Sequence, residues 1–173
     1  MNENFKEILI VGGKSNSLGR VNDVIEIVLA NKARLDELYN CLFEKDPWLR
    51  MRAADALEKI CRINPDWFQP YIKRFLGELT VCTQASIQWH MAQIFRQVKL
   101  TKKQKLEAIT WLKALISTKD VDWIVSANTM ITLFQFTQDG SFSNDEMRVL
   151  LKIQQSHKSN AVIKRANKFL TAL

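Results

Sequence analysis

The sequence predicts an all-α fold of about four stacked helical hairpins behind an N-terminal helical cap. Helix breakers are scarce: 173 residues hold three prolines and five glycines, and Gly12, Gly13 and Gly19 fall within the first 20 positions. The stretch from Asp46 to Cys61, D-P-W-L-R-M-R-A-A-D-A-L-E-K-I-C, carries one apolar stripe at helical spacing through Leu49, Ala53, Leu57 and Ile60. A helix with one such stripe cannot bury itself, and the chain supplies neighbours as copies of the same pattern.

Residues 1–30 stand apart as the cap, within the same domain as the repeats of residues 31–173. Asn4 to Val11 suits a short helix, capped by Asn4 and ended by Gly12. Val21, Val24, Ile25 and Val28 suggest a second, opened near Asn22 or Asp23, with a polar Gly/Ser-rich loop between the two.

The first hairpin pairs Leu35, Leu38, Tyr39 and Leu42, preceded by Asn31, with the Asp46 helix. Sliding that helix by 38 residues places Leu49 on Ile87, Ala53 on Met91 and Leu57 on Phe95. Sliding by 74 places Asp46 on Asp120, Leu49 on Trp123, Ala53 on Ala127 and Ile60 on Phe134, which predicts Asp120 as a cap and Trp123 as core. Sliding by 113 places Asp46 on Ser159, Leu49 on Val162 and Ala53 on Ala166. Three further stripes lie between: Phe68 to Leu79 after Asn64-Pro65, Leu106 to Ile116 after Thr101, and Met147 to Leu151 after Ser143. Thr101 with Gln104, and Ser143 with Glu146, have capping-box spacing. Gln138-Asp139-Gly140-Ser141 marks the clearest turn.

Asp46, Pro47, Leu49, Arg50, Ala53, Ala56, Leu57 and Ile60 resemble the second helix of a HEAT repeat, a family related to armadillo repeats. Later copies keep the apolar frame and lose the arginine, with Gln88, Ile124 and Ile163 in its place. The resemblance covers roughly residues 31–173 and implies a right-handed α-α superhelix, a HEAT-like solenoid whose second helices line one face. It implies no chemistry, because such repeats carry many functions.

The formal charge of +7 is uneven: residues 1–78 carry 12 basic and 12 acidic side chains, residues 79–173 carry 13 and 6. A basic half can meet nucleic acid, an anionic membrane surface or an acidic protein, or can simply keep a repeat surface soluble. Cys41, Cys61 and Cys82 lack metal-ligand spacing and read as free thiols of a reducing compartment. No signal-peptide pattern and no membrane-length apolar run is present, so the expectation is a soluble cytoplasmic protein.

Ile8 to Ser15, I-L-I-V-G-G-K-S, imitates a phosphate-binding loop, but the motif's first glycine is replaced by Ile8, which argues against nucleotide hydrolysis. A weaker expectation remains, that Lys14, Ser15, Ser17 and Arg20 hold an anion in this loop. The plainer reading is a connector.

On the repeat helices, Arg52 aligns with His90, Ser126 and Arg165, and Asp55 with Gln93, Thr129 and Lys168. Arg52, Lys59, Arg62, Trp89, His90, Arg165 and Lys168 are therefore the candidate partner-binding groove, set against a merely solvated face. Neither a metal nor a cofactor is expected, because His90 and His157 lie on separate repeats without a ligand cluster.

The expected function is a non-catalytic module that binds another protein through a peptide, helix or acidic surface. The alternative is nucleic-acid binding through Lys99, Lys102, Lys103, Lys105, Lys164, Arg165 and Lys168. A remote third reading is an alkylpurine DNA glycosylase, for which Trp89, Trp123 and Asp122 offer the residue types without a motif to arrange them.

Overall fold

The computed structural model describes residues 3–12 and 17–173, and every regular element among them is helical. The chain divides into two compact units, Met1–Pro70 and Tyr71–Leu173.

In the first unit α1 (Phe5–Ile10) and α2 (Val21–Ala30) precede α3 (Leu35–Asn40) and the long α4 (Pro47–Ile63). Short 3-10 turns, Lys32–Arg34 and Cys41–Phe43, flank α3. Asn4 caps α1 through Lys6 N, as its position predicts. Asp46 Oδ1 accepts from Trp48 N at 2.7 Å and Leu49 N at 3.0 Å, and Pro47 occupies the first turn of α4. Leu49, Ala53, Ala56, Leu57 and Ile60 are buried along one side.

A six-residue helix has too few internal bonds to persist alone. Packing on α2 and α4, with Phe5, Ile8 and Leu9 fully buried, holds α1 in place. Glu37 of α3 accepts from Phe5 N at 2.9 Å, and the Arg34 guanidinium lies 3.9 Å from the Phe5 ring centre. Thus α1 packs on α2 and α4 and is tied to α3 by this hydrogen bond, while α2 runs against α4. The N-terminal segment expected as a cap holds two helices in contact, the first of six residues and the second of ten.

After α4 the chain follows a 3-10 path from Pro65 to Tyr71. Proline at position 70 removes a backbone donor from that stretch. The second unit begins with α5 (Ile72–Arg74), which runs into a π turn, Phe75–Leu79. The stripe from Phe68 to Leu79 is thus buried without one continuous α-helix. There follow α6 (Ala85–Gln97), α7 (Lys102–Leu115), α8 (Trp123–Gln138), α9 (Asn144–Gln154) and α10 (Asn160–Ala172). The Thr101–Gln104 capping box is complete, and Ser143 accepts from Glu146 N. Gly140 turns the chain after α8 at φ 73°, where a side chain would be strained. Central in this unit, α8 packs against α6, α7, α9 and α10.

The third repeat corrects the sequence register. Asp122 caps α8, accepting from Ile124 N at 2.8 Å and Val125 N at 3.3 Å, whereas Asp120 precedes the helix. The N-caps are Asp46, Gln84, Asp122 and Ser159, spaced 38, 38 and 37 residues apart. Val125, Thr129, Met130, Leu133 and Phe136 therefore take the buried positions. Trp123, expected in the core, is 49% exposed. Both Asp120 and Asp122 have cap chemistry, and only packing decides between them.

Burial pushes the Cys41 and Cys61 thiols up to about 12. At pH 8 that leaves about one part in ten thousand as the reactive thiolate. Native protein treated with a chromogenic disulfide reagent at pH 8 should react quickly at the half-exposed Cys82. The other two thiols should react only as denaturant unfolds the chain. Fast labelling of all three without denaturant would contradict this burial.

Candidate functional site

In the first unit the candidate residues are engaged internally. Arg52 is only 3% exposed. Its Nη1 donates to Leu9 O at 2.7 Å and Ile10 O at 3.4 Å, and its Nε donates to Ser17 O at 2.8 Å. The guanidinium thus satisfies carbonyls at the end of α1, where a cation also meets the negative end of the helix. This removes Arg52 from any open groove. Lys59 pairs with Asp55 at 2.8 Å, and Arg62 binds both oxygens of the buried Glu58 at 2.7 and 2.8 Å. The Glu58 hydrogen bonds raise the Arg62 pKa above its ordinary value. The charges of α4 are balanced largely by its own carboxylates.

Lys14 and Ser15 of the proposed anion loop lie outside the described residues. Ser17 Oγ accepts from Gly19 N at 3.2 Å. Arg20 is held by Glu3 at 2.8 and 3.1 Å and by Asp23 at 2.7 Å, and these hydrogen bonds raise its pKa further. With two carboxylates already on its guanidinium, Arg20 offers little net positive potential to an anion.

The second unit presents a different surface. Its second helices, α6, α8 and α10, contain no aspartate or glutamate. Charge on them is limited to Arg96 on α6 and Lys164, Arg165 and Lys168 on α10, with none on α8. The six acids of residues 79–173 lie on first helices or in connections. Along α8, Ile124, Ala127, Asn128, Ile131 and Phe134 are half-exposed at helical spacing. The corrected register aligns His90 with Asn128 and Arg165, and Gln93 with Ile131 and Lys168.

Specific contacts tie this face together. Thr132 Oγ1 donates to Ala92 O at 2.7 Å, and Gln135 Nε2 to Arg96 O at 3.3 Å, joining α8 to α6. On the other side Phe134 stacks on Phe169 of α10, with ring centres 4.3 Å apart and planes 8° from parallel. Ala161, Lys164, Arg165, Lys168 and Phe169 line a shallow depression of about 430 Å³ beside this stack. The result is an apolar floor on α8, a cationic wall on α10, and Trp89, Gln93 and Arg96 half-exposed on α6. Of the residues expected in the groove, Trp89, Arg165 and Lys168 lie on this face, which also carries Ile131, Phe134 and Phe169, none of them named from the sequence as groove residues. The signal was the cap at Asp122, which turns Ile131 and Phe134 out of the core frame.

His90 is largely buried, with Nδ1 3.1 Å from Ser86 O and its ring 5.3 Å from that of Trp89. His157 is also buried; its Nδ1 accepts from Ser159 N at 2.9 Å and its Nε2 donates to Val121 O at 2.8 Å. Both histidines serve backbone groups. Asp122 Oδ1 is occupied by the α8 cap, which counts against the role a glycosylase would need. Among the described residues, no cluster of His, Cys, Asp and Glu could hold a metal ion, and no helix is long and apolar enough to cross a membrane.

The basic residues of this unit do not form one track. Lys105, on the first helix α7, is bound by Asp139 at 2.8 Å and Ser141 Oγ at 3.1 Å. The Asp139 pKa is lowered: partial burial raises it, and the hydrogen bonds from Lys105 and Ser141 outweigh that burial. Lys102 and Lys103 share the α7 helix, whereas Lys164, Arg165 and Lys168 belong to the second-helix layer.

A family model described as HEAT repeat domain matches residues 13–171. No curated protein and no solved structure matches the chain.

Proposed function

The chain belongs to the HEAT repeat family, and on that premise we propose that it is a non-catalytic module binding a partner protein on the α6–α8–α10 face of its second unit. The carrying observation is that these three helices hold no carboxylate while Lys164, Arg165 and Lys168 make no ion pair among the described residues. Cations such as Arg20, Arg62 and Lys105 are matched by neighbouring acids, whereas these three have no such acid among the described residues. Here they are left to attract an acidic surface from outside. Packed helices hold the backbone of the face in place beforehand, so no backbone ordering opposes binding.

The same unpaired cations favour a second reading, nucleic-acid binding. Against it stands the uncharged α8, which leaves the centre of the face without a phosphate contact. The two readings separate by salt and nuclease: a phosphate-bound protein loses affinity with a steep log–log salt slope.

The test compares capture from the source cell's extract by wild type and by the double variant Arg165→Glu, Lys168→Glu, with and without nuclease. The expected result is a protein that survives nuclease on wild type and falls at least ten-fold on the variant. Equal capture by both forms would place the partner site elsewhere. Loss of all capture on nuclease treatment would transfer the function to nucleic acid.

A further inference from the structure

The α6–α8–α10 face has the dimensions and chemistry of a slot for one kind of segment. Its floor runs along α8 from Ile124 to Phe134, a distance of about 15 Å at helical rise. A helix running parallel to α8 would cover this length in about three turns. The floor is apolar apart from Asn128, and it offers no sheet edge and no row of donors for an extended backbone. An extended peptide lying there would leave its own N–H and C=O groups unpaired as it lost water. A helix satisfies those groups internally and needs only an apolar stripe facing α8.

Charge fixes the orientation of the remaining surface. The α10 wall carries Lys164, Arg165 and Lys168 within two turns, and Arg96 stands on the α6 side. No carboxylate on the three helices competes for Lys164, Arg165 and Lys168, while Arg96 Nη1 donates to Asn128 Oδ1 at 3.5 Å. A segment with acidic residues beside its apolar stripe would meet cations along the α10 edge. A cationic amphipathic segment would be repelled.

We infer that the face takes an acidic amphipathic helix from the partner protein, its apolar stripe seated on Ile131 and Phe134 and its carboxylates on Arg165 and Lys168. This deepens the functional reading above and rests on it. Its pattern, apolar residues at helical spacing beside carboxylates, can be looked for by selection.

The experiment is a display library of random peptides about four helical turns long, selected on the full chain. It is counter-selected on bare support only, so neither of the variants tested afterwards shapes the winners. The expected winners carry apolar residues at i, i+3 or i+4 and i+7 with Asp or Glu beside them, and become helical on binding by circular dichroism. Their affinity should fall at least ten-fold on the Arg165→Glu, Lys168→Glu variant and on Ile131→Glu, and should recover on the charge-reversed variant when their acids are changed to lysine. Both variants alter surface positions, and an unchanged far-UV spectrum checks that they fold. Winners that are acidic without helical apolar spacing, or that bind in extended form, would overturn the helix while leaving the face in place. Winners indifferent to both variants, or no winners at all, would overturn the inference; variant-independent capture in the extract experiment would overturn the face as well. Displacement of the winners by a short single-stranded oligonucleotide at lower concentration than by free peptide would assign the face to nucleic acid.

Discussion

Arg52→Ala should destabilise the chain by about 3 kcal/mol in denaturant titration, because it leaves buried carbonyls unpaired and a space where the guanidinium lay. Leu9 O and Ser17 O, at 2.7 and 2.8 Å, each lose a charge-assisted donor. For a chain of this size the midpoint temperature should fall by roughly 6–12 °C. Arg52→Lys should recover only part of the loss, since an ammonium cannot match the fork of the guanidinium. Gly12→Ala gives an independent check. A Cβ added at Gly12 would fall on the Arg52 guanidinium, so the two cannot occupy the site together. In the double variant the arginine is already gone, and the penalty of the Gly12→Ala change should shrink well below its value in wild type. Additive effects would mean that the clamp is not what Gly12 protects.

Gln154→Leu should cost about 2–4 kcal/mol, since it removes the centre of a buried three-way link. Gln154 is fully buried in α9. Its Nε2 donates to Ile116 O at 3.0 Å and Thr118 O at 2.7 Å beyond α7, and its Oε1 accepts from Ser126 Oγ of α8 at 2.8 Å. Leucine keeps much of the volume and none of the partners, so the loss measures hydrogen bonding rather than cavity. Ser126→Ala should cost about 1 kcal/mol by itself, and in the Gln154→Leu background close to nothing. Amide exchange should show faster opening at residues 116–121 in both variants, since this link ties that connection down. A change below about 0.5 kcal/mol for Gln154→Leu would mean water replaces the amide at little cost.

These two side chains show where sequence reasoning ran out. The repeat period, the caps at Asn4, Asp46, Thr101 and Ser143, and the HEAT resemblance could be read because helix starts and apolar stripes are local signals. Arg52 could not be placed from sequence: its stem occupies an exposed-looking helix position, and its partners lie 35 to 43 residues away on the chain. Gln154 sat in a polar position of an amphipathic pattern, with a pairing set by three separate elements. Trp123 failed for a smaller reason. Asp120 and Asp122, either side of Val121, both suit an N-cap, and choosing Asp120 rotated every α8 assignment by about 200°. That single choice hid Ile131 and Phe134 from the candidate site.

The α8 helix has a consequence during synthesis. Its residues, W-I-V-S-A-N-T-M-I-T-L-F-Q-F-T-Q, contain no charge, glycine or proline. They are also rich in β-branched and aromatic side chains, the composition that self-associates when unprotected. On the ribosome α8 emerges before α9 and α10, the helices that later cover part of it. Until those follow, the nascent chain exposes its most adhesive stretch with no gatekeeping charge inside it. Asp139, Asp145 and Glu146 emerge next, and only then do Arg148, Lys152, Lys158, Lys164, Arg165 and Lys168 give the tail a net positive charge that repels neighbouring chains. The uncharged helix that forms the floor of a binding face is therefore also the segment most in need of a holding chaperone.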